Sequence, residues 1–345
     1  MKELRRALLK METLFWSSRV AHAVPIYLIA AAGYMAPGSK VQPSAAQLWA
    51  FVGALALITS SLGLLNDLMD EETDRITAPN GALISGILTR KESWTAVVLA
   101  SAASLATSWH LSRSWKVFGY LFLLAAGAWV IMLAYSRLKG KGAVASIVVS
   151  TVWPLGAFAG WLLGSRAWSI VLVAIYAYLV GFSDNIFSGI RDIETDPQAG
   201  VYTLPARIGA VDAFRVAAVF DFACFGVIAS LWALTANHWQ RAAGLVIAAV
   251  ACAVMIVHYR AISAAMETCA ERSVRIRQMR PWTRAACLRE VGFVAVCAPA
   301  AGLALGLTVF LVQWFAWIGS GSRLAGGAIK RALNELSEDA GLKSS

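Results

Sequence analysis

Charged residues are scarce in this chain of 345 residues. Asp, Glu, Lys and Arg together make up 14% of it, whereas hydrophobic residues make up 59%, and the mean hydropathy is +0.64. So few charges exclude a water-soluble domain of this length, because such a domain needs a solvated surface. The composition therefore predicts a polytopic membrane protein.

Cysteine and histidine are also sparse. The five cysteines form no CxxC pair and the four histidines are scattered, which excludes a disulfide framework and a zinc site. The sequence contains no nucleic-acid-binding motif. Its net charge of +10 is explained by loops that face an anionic membrane leaflet, so we expect membrane lipid and no nucleic acid as a partner.

Long apolar runs dominate the chain instead. A helix needs about 20 apolar residues to cross a hydrocarbon core of about 30 Å. Nine segments meet this requirement: 16–36, 45–66, 93–111, 116–135, 143–164, 167–190, 213–235, 239–259 and 291–317. The sequence therefore predicts an all-α membrane bundle of about nine transmembrane helices.

The positions of the basic residues predict an orientation. Most of the 30 lysines and arginines fall at the N-terminus and in alternate connections, which places those segments in the cytoplasm. The first apolar run carries Arg19 and His22 and is long, so we interpret it as an uncleaved span rather than a signal peptide. We expect a multi-pass protein of a bacterial inner membrane.

Acidic residues cluster at the predicted cytoplasmic ends of two spans. Asn66, Asp67, Asp70 and Asp74 follow the second span, and a second acidic stretch follows the sixth. Buried carboxylates without partners cost several kcal/mol in a membrane, so such clusters indicate function. Because the two spans are four helices apart, we expect two similar four-helix halves that present their acidic ends to one central cavity.

The spacing of these residues favours a divalent cation. Asp67, Asp70 and Asp74 share one helix face, as do Asp192 and Asp196, and like charges this close repel one another. Either several are protonated or a cation binds them. Carboxylate and amide oxygens suit Mg²⁺, which also binds substrate phosphates, so we expect a Mg²⁺-diphosphate site. Glu71 and Glu72 lie off this face, and we expect them to be solvated.

Three motifs carry a resemblance to a known family. Asn66-Asp67-Leu-Met-Asp70-Glu-Glu-Thr-Asp74 resembles the NDxxDxxxD motif of the UbiA superfamily of intramembrane prenyltransferases, and Asp192-Ile-Glu-Thr-Asp196 resembles its second acidic motif. Tyr135-Ser-Arg-Leu-Lys139 is similar to the YxxxK element of the family. The motifs occur in order at the expected span ends, and the resemblance covers nearly the whole chain.

The resemblance implies a nine-helix bundle around a central cavity, formed by residues 1–319, that transfers an isoprenyl group from its diphosphate to a lipophilic, aromatic acceptor. The implied catalytic residues are Asn66, Asp67, Asp70, Asp74, Asp192 and Asp196. All of these except Asp67 are also implied Mg²⁺ ligands. The expected substrate-binding residues are Arg19, Tyr135, Lys139, Arg191 and Arg207.

Some features leave alternatives open. An Arg-Pro pair found in many relatives is replaced here by the sequence from Pro79 to Ala82, so one expected arginine is missing. DRITAP resembles chlorophyll-synthase-type members, whereas RDIETD resembles quinone-synthesis members. A membrane terpene cyclase of the same superfamily is an alternative, because it needs the same ionisation. A secondary transporter with acidic ion-coupling sites is a further alternative.

Two segments near the C-terminus lie outside the three motifs. The segment 260–290 contains seven arginines, and we expect it to be a cytoplasmic connection that caps the site or contacts anionic lipid. The tail 320–345 is rich in Gly and Ser and then becomes amphipathic, which predicts a short surface helix.

Overall fold

A computed structural model describes residues 10–11, 13–14, 23–37, 43–77, 81–164, 167–235, 238–268 and 272–318. The expected substrate ligand Arg19 and the tail 320–345 lie outside these residues.

The regular secondary structure of the described chain is helical. Its α-helices are α1 Val24–Tyr34, α2 Ala45–Met69, α3 Glu71–Thr77, α4 Arg90–Ser112, α5 Trp115–Leu138, α6 Ala143–Ser150, α7 Val152–Leu163, α8 Ile170–Arg191, α9 Leu204–Ile208, α10 Ala210–Ala233, α11 Ala242–Thr268, α12 Arg272–Cys297 and α13 Pro299–Ile318. The one β-bridge in this part of the chain is isolated and joins Gly142 to Thr203. The all-α prediction is confirmed.

Six helical segments in the described ranges are long and apolar enough to cross a membrane. They are Ala45–Met69, Trp115–Lys141, Ala143–Leu163, Ile170–Arg191, Ala210–Ala233 and Trp239–Glu267. The predicted number of nine is therefore not reached by this criterion. Helix α4 is long enough, but its many Ser and Thr residues lower its hydropathy, and only 11 residues of α1 are described. The described part of the chain is thus that of an all-helical membrane protein with six candidate spans.

The last predicted span, 291–317, is wrong as a single helix. It is divided at Ala298, where α12 ends and α13 begins with Pro299. A proline ring disfavours helical geometry in the residue before it, while proline itself is tolerated at the first helical position. Helix α13 then folds back along α12, because Gly302 lies against Val294 and Gly306 against Val291.

The segment 260–290 is not a simple loop above the bundle. Helix α11 continues through its first part to Thr268, and α12 starts at Arg272. The two helices pack along each other, and α12 also contacts α10. Trp282 is almost fully buried, at 1% exposure. The arginine-rich stretch is therefore the beginning of a packed helix.

Close backbone contacts join α1 to α7. A Cβ atom on Gly33 would collide with the Ala157 carbonyl, and one on Gly160 would collide with the Ala30 carbonyl, so α1 and α7 touch through small residues. Such contacts are typical of membrane helices, which gain their packing energy from close approach rather than from the hydrophobic effect. Helix α7 in turn packs on α8.

The two acidic motifs begin where two long helices end. Asp70 is the C-cap of α2, and Asp192 is the C-cap of α8. The short helix α3 contacts the 3₁₀ turn Pro197–Ala199, which brings the segments after α2 and α8 together. The predicted meeting of the two motifs therefore follows from the packing of these turns.

Candidate functional site: a polar cavity between two acidic helix ends

A cavity of about 480 Å³ opens between the ends of α2, α5, α6 and α8. Every predicted site residue in the described chain lines it except Arg207: Asn66, Asp67, Asp70, Asp74, Tyr135, Lys139, Arg191, Asp192 and Asp196. The structure thus brings together residues from three motifs that are far apart in sequence.

The first motif is held by a network on Asp70. Asn66 Nδ2 donates a hydrogen bond of 2.8 Å to Asp70 Oδ2, and Lys139 Nζ donates one of 2.9 Å to the same oxygen. Asn66 and Asp70 are each 5% exposed. The Asp70 carboxylate is therefore fixed in orientation and is paired with Lys139, the one lysine among the lining residues that the structure describes.

The second motif is held by its own turn and by an arginine. The Thr203 hydroxyl donates to Asp196 Oδ2 at 3.0 Å, and the Arg191 guanidinium binds both oxygens of Asp192, at 2.8 and 3.1 Å. Burial raises the pKa of the Asp196 carboxyl, and the Thr203 hydrogen bond opposes this. Both carboxylates are thus anchored at the rim of the cavity.

Asp184 and Asn185 of α8 also line the cavity, although the sequence motifs did not include them. Asn185 Nδ2 donates a long hydrogen bond of 3.5 Å to the Tyr135 hydroxyl, and Asp184 lies beside it in sequence. The signal for Asp184 was its separation of eight residues from Asp192, which places both on one helix face. A single acid within an apolar span was not recognised as part of the motif.

Arg207 supports the cavity from outside its lining. Its Nε donates to the Tyr202 carbonyl at 3.0 Å, and its Nη2 donates to the Gly140 carbonyl at 2.9 Å. Its side chain also covers Gly142, whose φ of 64° lies in the left-handed region that favours glycine. Arg207 therefore fixes the turn that follows Lys139, and its direct contact with substrate stays a prediction.

The acids of the cavity are not a ready-made metal cage. Among the described residues, no three His, Cys, Asp or Glu side chains are grouped closely enough to hold a metal ion. In the described part of the lining, six aspartates nevertheless accompany one lysine and one arginine. This set fits Mg²⁺, which uses few protein carboxylates and completes its shell with water and phosphate oxygens. Glu71 lies outside the lining and binds Arg75 and Arg90, as expected of a surface acid.

Comparisons with known proteins give archaeal relatives that are digeranylgeranylglyceryl phosphate synthases. The chain is 27% identical to a digeranylgeranylglyceryl phosphate synthase of Thermococcus sibiricus over 49% of its length, and 33% identical to that of Metallosphaera sedula over 58%. It spans 58% and 70% of these relatives. A UbiA homologue from Archaeoglobus fulgidus, solved with GPP and Mg²⁺, has a similar fold, with a TM-score of 0.56 at 17% identity over 86% of this chain and 99% of that one.

A family model matches most of the sequence. The model described as the UbiA prenyltransferase family matches residues 26–280, which include all three motifs and the helices that carry them. Fold, cavity and motif order agree with this match. The chain belongs to the UbiA prenyltransferase family.

Proposed function

We propose that this protein is an integral-membrane, Mg²⁺-dependent prenyltransferase that moves an isoprenyl group from its diphosphate to a lipophilic acceptor. The convergence of two acidic helix ends and Lys139 on one cavity carries this proposal. The Archaeoglobus fulgidus homologue bound to GPP and Mg²⁺ supports the donor and the metal. A transporter is less well supported, because its ion sites are expected near the membrane midplane rather than at helix ends.

Different residues of the chain have different roles in the proposed reaction. Asn66, Asp70, Asp74, Asp192 and Asp196 would hold Mg²⁺, which neutralises the charge that develops on the departing diphosphate. Lys139 adds a hydrogen-bond donor and a positive charge for the diphosphate. Met132, Val149 and Trp153 form an apolar part of the cavity wall. This part of the wall keeps water from the allylic carbon as the bond from that carbon to oxygen breaks.

Two classes of acceptor are supported by different observations. The names of the relatives favour a glyceryl phosphate lipid. The Asp192–Asp196 motif resembles that of quinone-synthesis members, and Tyr135 and Trp153 offer aromatic surface in the cavity for a flat ring. Both a glyceryl phosphate lipid and a hydroxylated aromatic compound are therefore used as acceptors in the test below.

We propose the cytoplasmic face of a bacterial inner membrane for the acidic helix ends. The excess of lysine and arginine in the segments on that side supports this orientation. This arrangement has nine crossings of the membrane. They are made by α1, α2, α4, α5, the α6–α7 pair, α8, α10, α11 and α12. Helix α13 is then an additional segment that returns along α12. Accessibility of single cysteines placed in these connections would test the arrangement.

The proposed reaction predicts a product that depends on metal and acceptor. Purified protein with a radiolabelled prenyl diphosphate should yield a prenylated adduct when Mg²⁺ and either acceptor are present, and none after EDTA treatment. Gas chromatography of the acceptor-free mixture should show little hydrocarbon. A cyclic terpene formed there at a rate comparable to transfer would replace this proposal with the cyclase.

Lys139 gives a prediction about donor binding. Replacing Lys139 with Met should raise the KM for the diphosphate donor by roughly tenfold, because about 1.4 kcal/mol of charge-assisted hydrogen bonding is lost. Lys139→Arg should recover part of the loss. Steady-state kinetics at saturating acceptor measure this change. Lys141, which does not line the cavity, is the matched control: Lys141→Met should leave KM unaltered, and an equal effect of both variants would contradict a specific role for Lys139.

A further inference from the structure

Asp184 faces the cavity at a deeper level than the two acidic motifs. It lies eight residues before Asp192, which corresponds to about 12 Å along the axis of α8. Asp184, Ser188 and Asp192 follow one another at four-residue spacing, and all three line the cavity. Asp184 is therefore in the interior of the bundle, beyond the helix end that would hold the diphosphate.

The Asp184 carboxylate differs from three of the motif acids in its contacts with the described part of the chain. No described residue forms a hydrogen bond or an ion pair with it, whereas Asp70, Asp192 and Asp196 are each bonded to a neighbouring side chain. Asp184 is exposed and lines the cavity, so its exposed surface opens there. A carboxylate at such depth is unfavourable without a donor, and the cavity is where a ligand could supply one.

The surroundings of Asp184 favour a neutral group that can donate a proton. The Tyr135 hydroxyl and the Asn185 amide line the same wall, and the Trp153 ring packs against Gly181 one turn before Asp184. The two basic residues in the described part of the lining, Lys139 and Arg191, are both paired with aspartates of the motifs. An anion beside Asp184 would be repelled, whereas a hydroxyl would be attracted.

We propose that Asp184 is a catalytic residue that binds the hydroxyl group of the acceptor and takes up its proton. This proposal rests on the proposed function. The acceptor oxygen forms a bond to C1 of the isoprenyl group, and the bond from C1 to the diphosphate oxygen breaks with its electron pair going to diphosphate. The proton of the hydroxyl passes to the Asp184 carboxylate. Both acceptor classes carry such a hydroxyl, so the reacting end of the acceptor is uncharged in either case.

Asp184→Asn separates this role from donor binding. The variant removes the proton acceptor and keeps the size of the side chain, so transfer should fall at least about 100-fold, the usual scale of a lost general base. The affinity for geranyl S-thiolodiphosphate, a donor analogue that does not ionise, should stay at the wild-type value when measured by calorimetry with Mg²⁺. Asp212→Asn is the matched control, because Asp212 is exposed on α10 and paired with Arg215, and its kinetics should be those of wild type.

The two acceptors and one further variant complete the experiment. Loss of transfer to both the glyceryl phosphate lipid and the phenolic compound is expected, as is partial transfer by Asp184→Glu, which retains a carboxylate. Wild-type transfer in either folded Asp184 variant, or a fall in donor affinity equal to the fall in transfer, overturns the role of Asp184. A wild-type protein that binds the donor analogue but prenylates neither acceptor overturns the proposed function as well.

Discussion

Replacing Asp70, Asp74, Asp192 or Asp196 with alanine should each lower turnover at least about 100-fold, the scale expected when a main electrostatic stabiliser is lost. All four line one cavity, and each contributes a negative charge to the surface on which the diphosphate and Mg²⁺ would meet. Turnover with a prenyl diphosphate and acceptor at saturating Mg²⁺ measures the effect. The four variants should also bind Mg²⁺ more weakly, which calorimetry can detect without catalysis.

Glu72 provides the control for this series. It is exposed on α3, between Asp70 and Asp74 in sequence, but does not line the cavity. Glu72→Ala should therefore keep turnover and Mg²⁺ affinity close to wild type. Near-wild-type turnover in any two of the four aspartate variants would contradict a metal site built from both acidic motifs.

Replacing Arg289 with Met should give the largest loss of stability. Arg289 Nη1 donates to Asp221 Oδ1 on α10, and Arg289 Nη2 donates to Glu290 Oε1 at 2.9 Å. Trp282 Nε1 donates to the other Asp221 oxygen at 2.6 Å. All four residues are buried. Removal of one partner of a buried ion pair leaves an uncompensated charge and costs about 3–5 kcal/mol.

The measurement is the thermal unfolding midpoint in detergent, which should fall clearly for Arg289→Met. Arg280→Met is the matched control, because Arg280 lies on the same helix and is exposed, and its midpoint should stay at the wild-type value. The double variant Asp221→Asn with Arg289→Met removes both charges and should recover part of the loss. An Arg289→Met midpoint equal to that of wild type would rule out a stabilising role for this network.

Local patterns in the sequence were sufficient to group the residues that we propose as Mg²⁺ ligands. Asn66, Asp70 and Asp74 recur within one helical segment, and Asp192 and Asp196 are one turn apart, so their common face follows from helix geometry alone. The end of the bundle at which they lie follows from the same reasoning, because each group comes at the end of an apolar run. Which carboxylate is paired with Lys139 could not be predicted this way, since the two residues are 69 positions apart.

Hydropathy was a poorer guide near the C-terminus. The apolar run 291–317 suggested one span, although Ala298-Pro299 is a local signal for a helix boundary. The seven arginines of 260–290 suggested a cytoplasmic connection that caps the site or contacts anionic lipid, whereas most of this stretch is helix that packs in the bundle. Average hydropathy treats every arginine as solvent-exposed, and it has no means of recognising one that has an acidic partner on another helix.

The sequence by itself determined the helical membrane architecture, the family and the two acidic motifs, because each depends on composition or on spacing within one helix. Only the tertiary structure decided that Asp184 opens into the cavity, that Arg207 fixes the turn after Lys139, and that Arg289 pairs with Asp221. These contacts join helices that are distant in the chain. Their geometry depends on how close the helix backbones approach, which is set by packing between small residues and not by any periodic pattern along one segment.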